Sequence, residues 1–248
     1  MQLKGRVAVV TGGASGMGES ICRLFAREGA KVVIFDANAG RARQVQASIT
    51  ADGGSALALP GDVARDDDNR RAVALAEEEL GGLDVFVSCA SFAPVTAMED
   101  MTEPEWDRVM DVCLKGVFWG SRAAALSMRK RKRGRIVHIA SMVGKAGAIV
   151  AGMHYSAAKA GVIVLTKCFA KLLAADGINV TCVAPGPTMT PMLAAFTPDQ
   201  QEQMRKAIPL GRFGRPEDVA RAVLFLVGES GDYITGEVLD VNGGLIMD

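Results

Sequence analysis

The sequence predicts a doubly wound α/β fold: a seven-stranded parallel sheet with helices on both faces. Three observations carry this. Short β-branched runs alternate with longer helical segments along most of the chain. The strand cores 7–10, 85–87 and 136–139 hold no charged residue, as strands buried on both faces do. Strands separated by helices pair in parallel through right-handed crossovers.

Taken in order, residues 7–10 read as the first strand and 16–28 as the helix that follows a glycine-rich turn. The strand 31–35 leads into a helix over 39–52, and the strand 56–60 into a helix over 65–80. The strand 85–88 precedes a long helix near 105–131. The strand 135–139 precedes a helix over 155–176. The strand 179–183, a helix over 216–227 and a last strand, 237–240, close the chain. No internal repeat, low-complexity segment or linker interrupts this order, so residues 1–248 read as a single domain. The stretches 91–104, 142–154 and 185–214 read as irregular. In an open α/β sheet such loops emerge at the C-terminal strand ends, where ligands sit.

Composition narrows the function. Apolar residues make up 49% of the 248, enough for a full core. Lys+Arg and Asp+Glu are 28 each, a balance that argues against a general polyanion binder. No segment approaches the ~20 apolar residues of a membrane span. The apolar run 7–10 is too short for a signal peptide, which predicts a cytoplasmic protein. Five scattered cysteines without a C-x-x-C pair fit a reducing compartment. The absence of H-E-x-x-H, G-x-S-x-G and G-x-x-x-x-G-K-S/T sets aside metalloprotease, serine hydrolase and P-loop readings. No ligand spacing for a metal is seen, and Cys89 and Cys113 read as buried small hydrophobes. The basic run Arg129–Arg133 reads as a helix C-terminus whose cations complement the helix dipole and face water.

Two constellations carry chemistry. Gly12, Gly16 and Gly18 fall between the first strand and its helix. There they allow a tight turn and bring free helical N–H groups to a pyrophosphate. Asp36, at the end of the second strand, is placed to accept from ribose hydroxyls and to repel a 2′-phosphate. Asp62-Val63, after the third strand, is placed to flank the adenine. The second constellation is Ser141, after the strand 135–139, with Tyr155 and Lys159 four positions apart on one helix face. Tyrosine ordinarily ionises near pH ~10. A lysine ammonium within ~4–6 Å favours the phenolate and so prepares a base for alcohol oxidation. His154 is assigned to the loop before Tyr155, and His138 to a satisfied strand position.

The motifs Thr11-Gly12-Gly13-Ala14-Ser15-Gly16-Met17-Gly18, Asp62-Val63, Ser141, Tyr155-Ser156-Ala157-Ala158-Lys159, Pro185-Gly186 with Thr190, and Gly243-Gly244 occur in one order across the chain. On these the chain resembles the short-chain dehydrogenase/reductase family over essentially its whole length. The resemblance implies a Rossmann-type domain with a variable substrate loop near 187–214. It implies Tyr155 as acid/base, Lys159 as its partner and a ribose ligand, and Ser141 as donor to the substrate oxygen. Gly12, Ser15, Met17 and Gly18 are implied at the adenosine side. Pro185, Gly186, Thr188 and Thr190 are implied at the nicotinamide carboxamide and pyrophosphate.

Two segments depart from the family pattern. Ser88-Cys89-Ala90-Ser91 stands where Asn-Asn-Ala-Gly is usual; the Ser88 hydroxyl and Ala90 carbonyl are expected to keep part of that role. Cys113 stands at the usual tetrad asparagine. It keeps the backbone carbonyl, but its thiol bonds weakly, which predicts a looser water site and a modest gain in kcat for Cys113→Asn.

NAD is the expected cofactor. Asp36 is acidic, and Ser15 and Ala37 offer no cation where phosphate-binding relatives often carry one. The uncharged segments 146–153 and 189–196 predict a small, uncharged, mainly apolar secondary alcohol or ketone as substrate, with Lys145 the one cation near. Apolar and small residues on more than one face of the helices 105–131 and 155–176 predict a homotetramer, with a dimer as fallback. The alternative is a catalytically decayed nucleotide-binding relative serving as a regulatory or binding subunit. The intact Ser141, Tyr155 and Lys159 weigh against it.

Overall fold

A computed structural model describes residues 1–148 and 152–247. In chain order the elements are β1 (Val7–Thr11), α1 (Gly16–Arg27), β2 (Lys31–Asp36), α2 (Ala39–Ala51), β3 (Ser55–Pro60) and α3 (Asp66–Leu80). Next come β4 (Val85–Ser88), α4 (Glu103–Met110), α5 (Gly116–Arg129), β5 (Gly134–Ile139) and the short α6 (Val143–Ala146). The chain continues with α7 (Met153–Leu173), β6 (Ile178–Pro185), α8 (Pro198–Ala207), α9 (Pro216–Val227) and β7 (Val238–Val241).

The strands form one seven-stranded sheet in the order β3-β2-β1-β4-β5-β6-β7, and every pair is parallel. The order turns back on itself between β1 and β4, which opens a crevice at their C-terminal ends. Strand residues alternate between two cores. Ala8, Val10, Val32, Ile34, Val85 and Val87 pack with α1, α2 and α9. Val9, Val33, Phe35, Phe86 and Ile136 pack with α3, α5 and α7. Burial on both faces is why these strands read as unbroken apolar runs.

The structure departs from the sequence reading in several elements. The helix expected over 105–131 is three pieces: α4, a π-helical turn at Asp111–Lys115, and α5. The stretches read as irregular contain helical turns at Met98–Asp100 and Pro191–Ala195, and the helices α6 and α8. His154 is not in a loop but is the second residue of α7, fully buried. The uncharged segment 146–153 is described only in part, since 149–151 lie outside the described residues. Each cation of the basic run meets a carboxylate: Arg129 and Lys132 meet Asp176, Lys130 meets Glu77, and Arg131 and Arg133 meet Asp84. Asp84 is buried and also accepts the Val7 N–H at 2.9 Å, so Arg131 and Arg133, which face water as expected, also anchor the start of β4 against β1. No helix among the described residues is long and apolar enough to cross a membrane.

His138 on β5 is the satisfied strand residue the sequence suggested. Its Nδ1 lies 2.9 Å from Thr166 Oγ1 and its Nε2 2.8 Å from Ser121 Oγ. Thr166 spends its own proton on the Val162 carbonyl, so it accepts from Nδ1–H, and Nε2 accepts from Ser121. The ring thereby pins α5 and α7 to the sheet as a neutral imidazole. Burial, reinforced by the Lys159 charge, lowers its pKa from 6.5 to about 3. Between these values the unfolded chain binds a proton that the native state does not. Stability therefore falls as pH drops from 6.5 towards 3, by up to ~1.4 kcal/mol per pH unit from this group. His138→Gln removes the titration. Urea unfolding at neutral pH and near pH ~4 is expected to show a smaller acid loss in the variant than in the wild type.

Candidate active site

The turn between β1 and α1 is shaped by close approach. Gly12 has φ +66°, and a Cβ there would lie 2.7 Å from Ala90 Cα. A Cβ on Gly18 would lie 2.0 Å from the Gly12 carbonyl oxygen. Only hydrogen fits at either position, so the end of β4 and the start of α1 close onto the loop. Ser15, the N-cap of α1, makes no side-chain cap bond and leaves the helix's first N–H groups without that partner. Asp36, at the end of β2, is fixed by two backbone donors, Ala14 N–H at 3.0 Å and Asn38 N–H at 2.8 Å. A carboxylate has about four acceptor sites, so two remain.

These residues line a cleft of about 580 Å³. Gly12, Ser15, Gly16, Met17, Gly18 and Asp36 line it with Asp62, Val63, Ala90 and Thr190. Every candidate adenosine-side residue is thus brought to one cavity. A glycine cradle, an uncapped helix N-terminus and a fixed carboxylate fit an adenine dinucleotide: pyrophosphate at the N–H groups, ribose hydroxyls at Asp36.

Three supporting residues, Arg108 and Asn69 with no sequence signal and Thr11 known only as the start of the glycine-rich motif, hold the site in place. Arg108 of α4 pairs with Asp62 at 2.9 Å. Burial alone would raise the Asp62 pKa, but the Ala64 N–H bond and Arg108 outweigh it and hold the carboxyl below its ordinary value. Asn69 is buried and donates to the carbonyls of Val63 and Arg65, which sets the Val63 turn. Thr11 Oγ1 accepts the N–H groups of Cys89 at 3.0 Å and Ala90 at 3.1 Å. This corrects the role expected for Ser88. Its buried hydroxyl has no hydrogen-bond partner among the described residues, and the hydroxyl tying down the end of β4 comes from β1 instead.

The second group sits where β5, β6 and α7 converge. Ser141 follows β5, is buried, and its Oγ accepts the Val143 N–H at 3.3 Å. Tyr155 and Lys159 stand one helical turn apart on α7. Lys159 is 1% exposed; its Nζ donates to the Ile139 carbonyl at 2.7 Å and lies 5.5 Å from the Tyr155 ring centre. Burial alone would lower the Lys159 pKa. Attraction to Tyr155, and to the sulfurs of Cys113, Cys89 and Cys182, outweighs it, and the pKa ends above its ordinary value. The ammonium is kept.

Ser141 and Tyr155 line a second cavity of about 300 Å³ with Pro185, Gly186, Thr188 and Thr190. Its other walls include Met142, Val143, Leu193, Phe196 and Met204, and no described lining residue is charged. Met17, Thr190 and Met192 line both cavities, so the two adjoin. Lys145, the one cation the sequence put near, has its amine 2.6 Å from Asp240. Lys159 lies behind Tyr155 rather than on either cavity wall.

Cys113 lies in the π-helical turn. Its sulfur accepts the Phe92 N–H at 3.3 Å, donates to the Phe92 carbonyl at 3.2 Å, and lies 3.5 Å from Ser91 Oγ. The weak thiol expected at this position is held on both sides by backbone. The irregularity is present, and the thiol makes the two-way backbone contact that an amide side chain would make. The loop it holds, Ser91 to Pro94, forms part of the larger cleft.

A family model described as enoyl-(acyl carrier protein) reductase matches residues 12–246. An uncharacterized oxidoreductase of Mycobacterium bovis is 43% identical over 242 residues, 98% of this chain and 97% of that protein. A protein of Vibrio cholerae named 3-oxoacyl-(acyl-carrier-protein) reductase FabG is 38% identical over 248 residues, the full length of both. A crystal structure of gox2181 superposes with a TM-score of 0.94 at 30% identity, covering 98% of this chain and 96% of that one.

The sulfur clamp makes a measurable difference. Since the thiol already bonds both groups of Phe92, Cys113→Asn gains at most ~0.5–1.5 kcal/mol of hydrogen bonding. Cys113→Ala removes the clamp and is expected to weaken NADH binding by up to ~10-fold. A fluorescence titration of NADH against wild type, Cys113→Asn and Cys113→Ala gives the order; Cys113→Ala binding as tightly as wild type would remove the clamp from cofactor binding.

Proposed function

Because the chain belongs to the short-chain dehydrogenase/reductase family, whose oxidoreductases act on CH–OH groups with a nicotinamide cofactor, we propose that this protein is an NAD(H)-dependent dehydrogenase or reductase of small, uncharged, mainly apolar secondary alcohols and ketones. The observation that carries the reading is the meeting of Tyr155 and Ser141 on the wall of an uncharged cavity adjoining the cleft that contains Asp36. The nicotinamide supplies the hydride acceptor, or donor in the reverse direction. Tyr155 takes the substrate hydroxyl proton as the alcohol becomes a ketone, and Ser141 Oγ–H donates to the same oxygen. The buried Lys159 ammonium stands one helical turn from Tyr155, 5.5 Å from its ring centre. In reduction the same proton returns from Tyr155 to the carbonyl oxygen.

Asp36 and the adenosine side support NAD over NADP. Arg108 is the one cation among the described lining residues of that cleft, and Asp62 already neutralises it. The uncharged lining of the second cavity, and the engagement of Lys145 by Asp240, support an uncharged substrate. Relatives named for 3-oxoacyl substrates put ketones with an apolar chain on the panel to be tried. One domain over 1–248, with 187–214 as its substrate loop, is supported by the bridge that joins Thr188 to Gly214 at the two ends of that loop. A homotetramer, or else a dimer, is supported by Phe118 and Leu126 on α5 and Val164 and Leu172 on α7, all exposed. A cytoplasmic setting is supported by five free thiols.

A panel of secondary alcohols with NAD, followed by NADH absorbance, tests the activity. Tyr155→Phe is expected to cost ~10²–10⁴-fold in kcat, and unchanged turnover in that variant would sink the reading. The ratio of kcat/KM for NAD over NADP is expected to exceed one and to narrow in Asp36→Ala. Light scattering is expected to give a multimer; a dilution-stable monomer would refute that part.

A further inference from the structure

The start of α7 has an unusual cap. Gly152 is the N-cap, at φ +81°, and has no side-chain oxygen to offer the helix's first N–H groups. Tyr155 is the third residue of the helix, the position an N-cap side chain ordinarily serves. Its N–H is taken by the neighbouring His154, whose Nδ1 accepts at 2.9 Å. An accepting Nδ1 on a neutral ring puts the proton on Nε2. That nitrogen lies 3.2 Å from Glu105 Oε1 on α4, so Nε2–H donates to the carboxylate. The ring is fully buried and lies 6.2 Å, centre to centre, from Trp106. Space is reserved for it: a Cβ on residue 152 would lie 2.6 Å from His154 Cε1. The glycine that cannot cap is thus what lets the imidazole cap.

We propose that His154 caps its own helix and, oriented by Glu105, is a positioning residue for Tyr155. Three parts of the chain are tied in series: Glu105 on α4 sets the ring, the ring holds the Tyr155 backbone, and the backbone carries the phenol to the cavity. Without the ring nitrogens the first turn of α7 loses the partner of its Tyr155 N–H and the tie to α4. The helix beyond keeps its ordinary bonds, beginning with Ser156 N–H to the Gly152 carbonyl at 3.2 Å. The effect is therefore local to Tyr155. It leaves the adenosine cleft, which His154 does not line, as it was.

This rests on Tyr155 being the acid/base, so the test has two independent readouts: hydrogen exchange of the Tyr155 amide, and kcat on the best alcohol of the panel. His154→Phe keeps a ring beside Trp106 but removes both nitrogens. It is expected to speed Tyr155 amide exchange at least ~5-fold and to lower kcat ~10–100-fold, with the NADH dissociation constant unchanged. His154→Asn, with an oxygen to accept and an amide to donate, is expected to recover most of both. Should His154→Phe fail to fold, Glu105→Leu breaks the same series from the α4 side and is expected to move both readouts in the same direction. Wild-type exchange in His154→Phe would overturn the cap. Faster exchange with unchanged kcat would overturn the positioning role, as would His154→Asn failing as badly as His154→Phe. If wild-type protein oxidises no alcohol, the proposed function fails, while the exchange comparison still decides the cap.

Discussion

A lysine ammonium sealed inside the protein is the constraint around which the site is arranged. Lys159 is 1% exposed and donates to the last carbonyl of β5 at 2.7 Å. Removing such a charge from water costs several kcal/mol unless it is bonded and balanced. Here the Ile139 carbonyl accepts one ammonium N–H, and the Tyr155 ring, one turn earlier on α7, lies 5.5 Å away. The bond to the last carbonyl of β5 ties the start of α7 to the sheet edge. Lys159 stands behind Tyr155, off the walls of both the cleft and the uncharged cavity.

Around that charge the chain reaches familiar geometry with unfamiliar side chains. The end of β4 is held by a threonine hydroxyl from β1, two bonds from one oxygen, where amide side chains in β4 itself are usual. The helical irregularity before α5 is held by a thiol that accepts from the N–H of Phe92 and donates to its carbonyl. In both cases the requirement is a small group able to satisfy backbone N–H groups at a crowded edge. Neither needs a particular residue type. Departures at residues 88–91 and 113 are therefore compatible with intact Tyr155 and Lys159, and they lend little weight to a decayed catalyst.

What was legible in the sequence follows from the range of the interactions involved. The strands and their order show because burial on both faces leaves continuous apolar runs. The Tyr155 and Lys159 pairing shows because a helix brings residues four apart onto one face. Helix α8 stayed hidden because Pro198–Ala207 is almost wholly polar and buries no residue, so no apolar stripe announces it. The interruption at Asp111–Lys115 stayed hidden because its clamp reaches a residue 21 positions away. The hydroxyl of Thr11 works across 78 positions, and Glu105 orients His154 across 49. Local periodicity carries no trace of partners so distant, and a lone histidine beside a tyrosine reads as a loop residue until the other helix is in place.

The substrate loop illustrates how a polar segment can still govern an apolar pocket. Its ends are laced together by Met189 N–H to the Gly214 carbonyl and Gly214 N–H to the Pro187 carbonyl, both 2.9 Å. Its helix is closed by a capping box between Thr197 and Gln200. Gln201 then donates back to the carbonyls of Leu193 and Phe196, which fastens the preceding turn. The polar side chains of α8 are thus spent on holding the loop's own backbone. Leu193, Phe196 and Met204 are left to face the cavity. Met17, Met142, Met192 and Met204 complete the walls, flexible thioethers of the kind that fill irregular gaps. Among the described lining residues no charged side chain stands to meet a charged group, and four of them are thioethers.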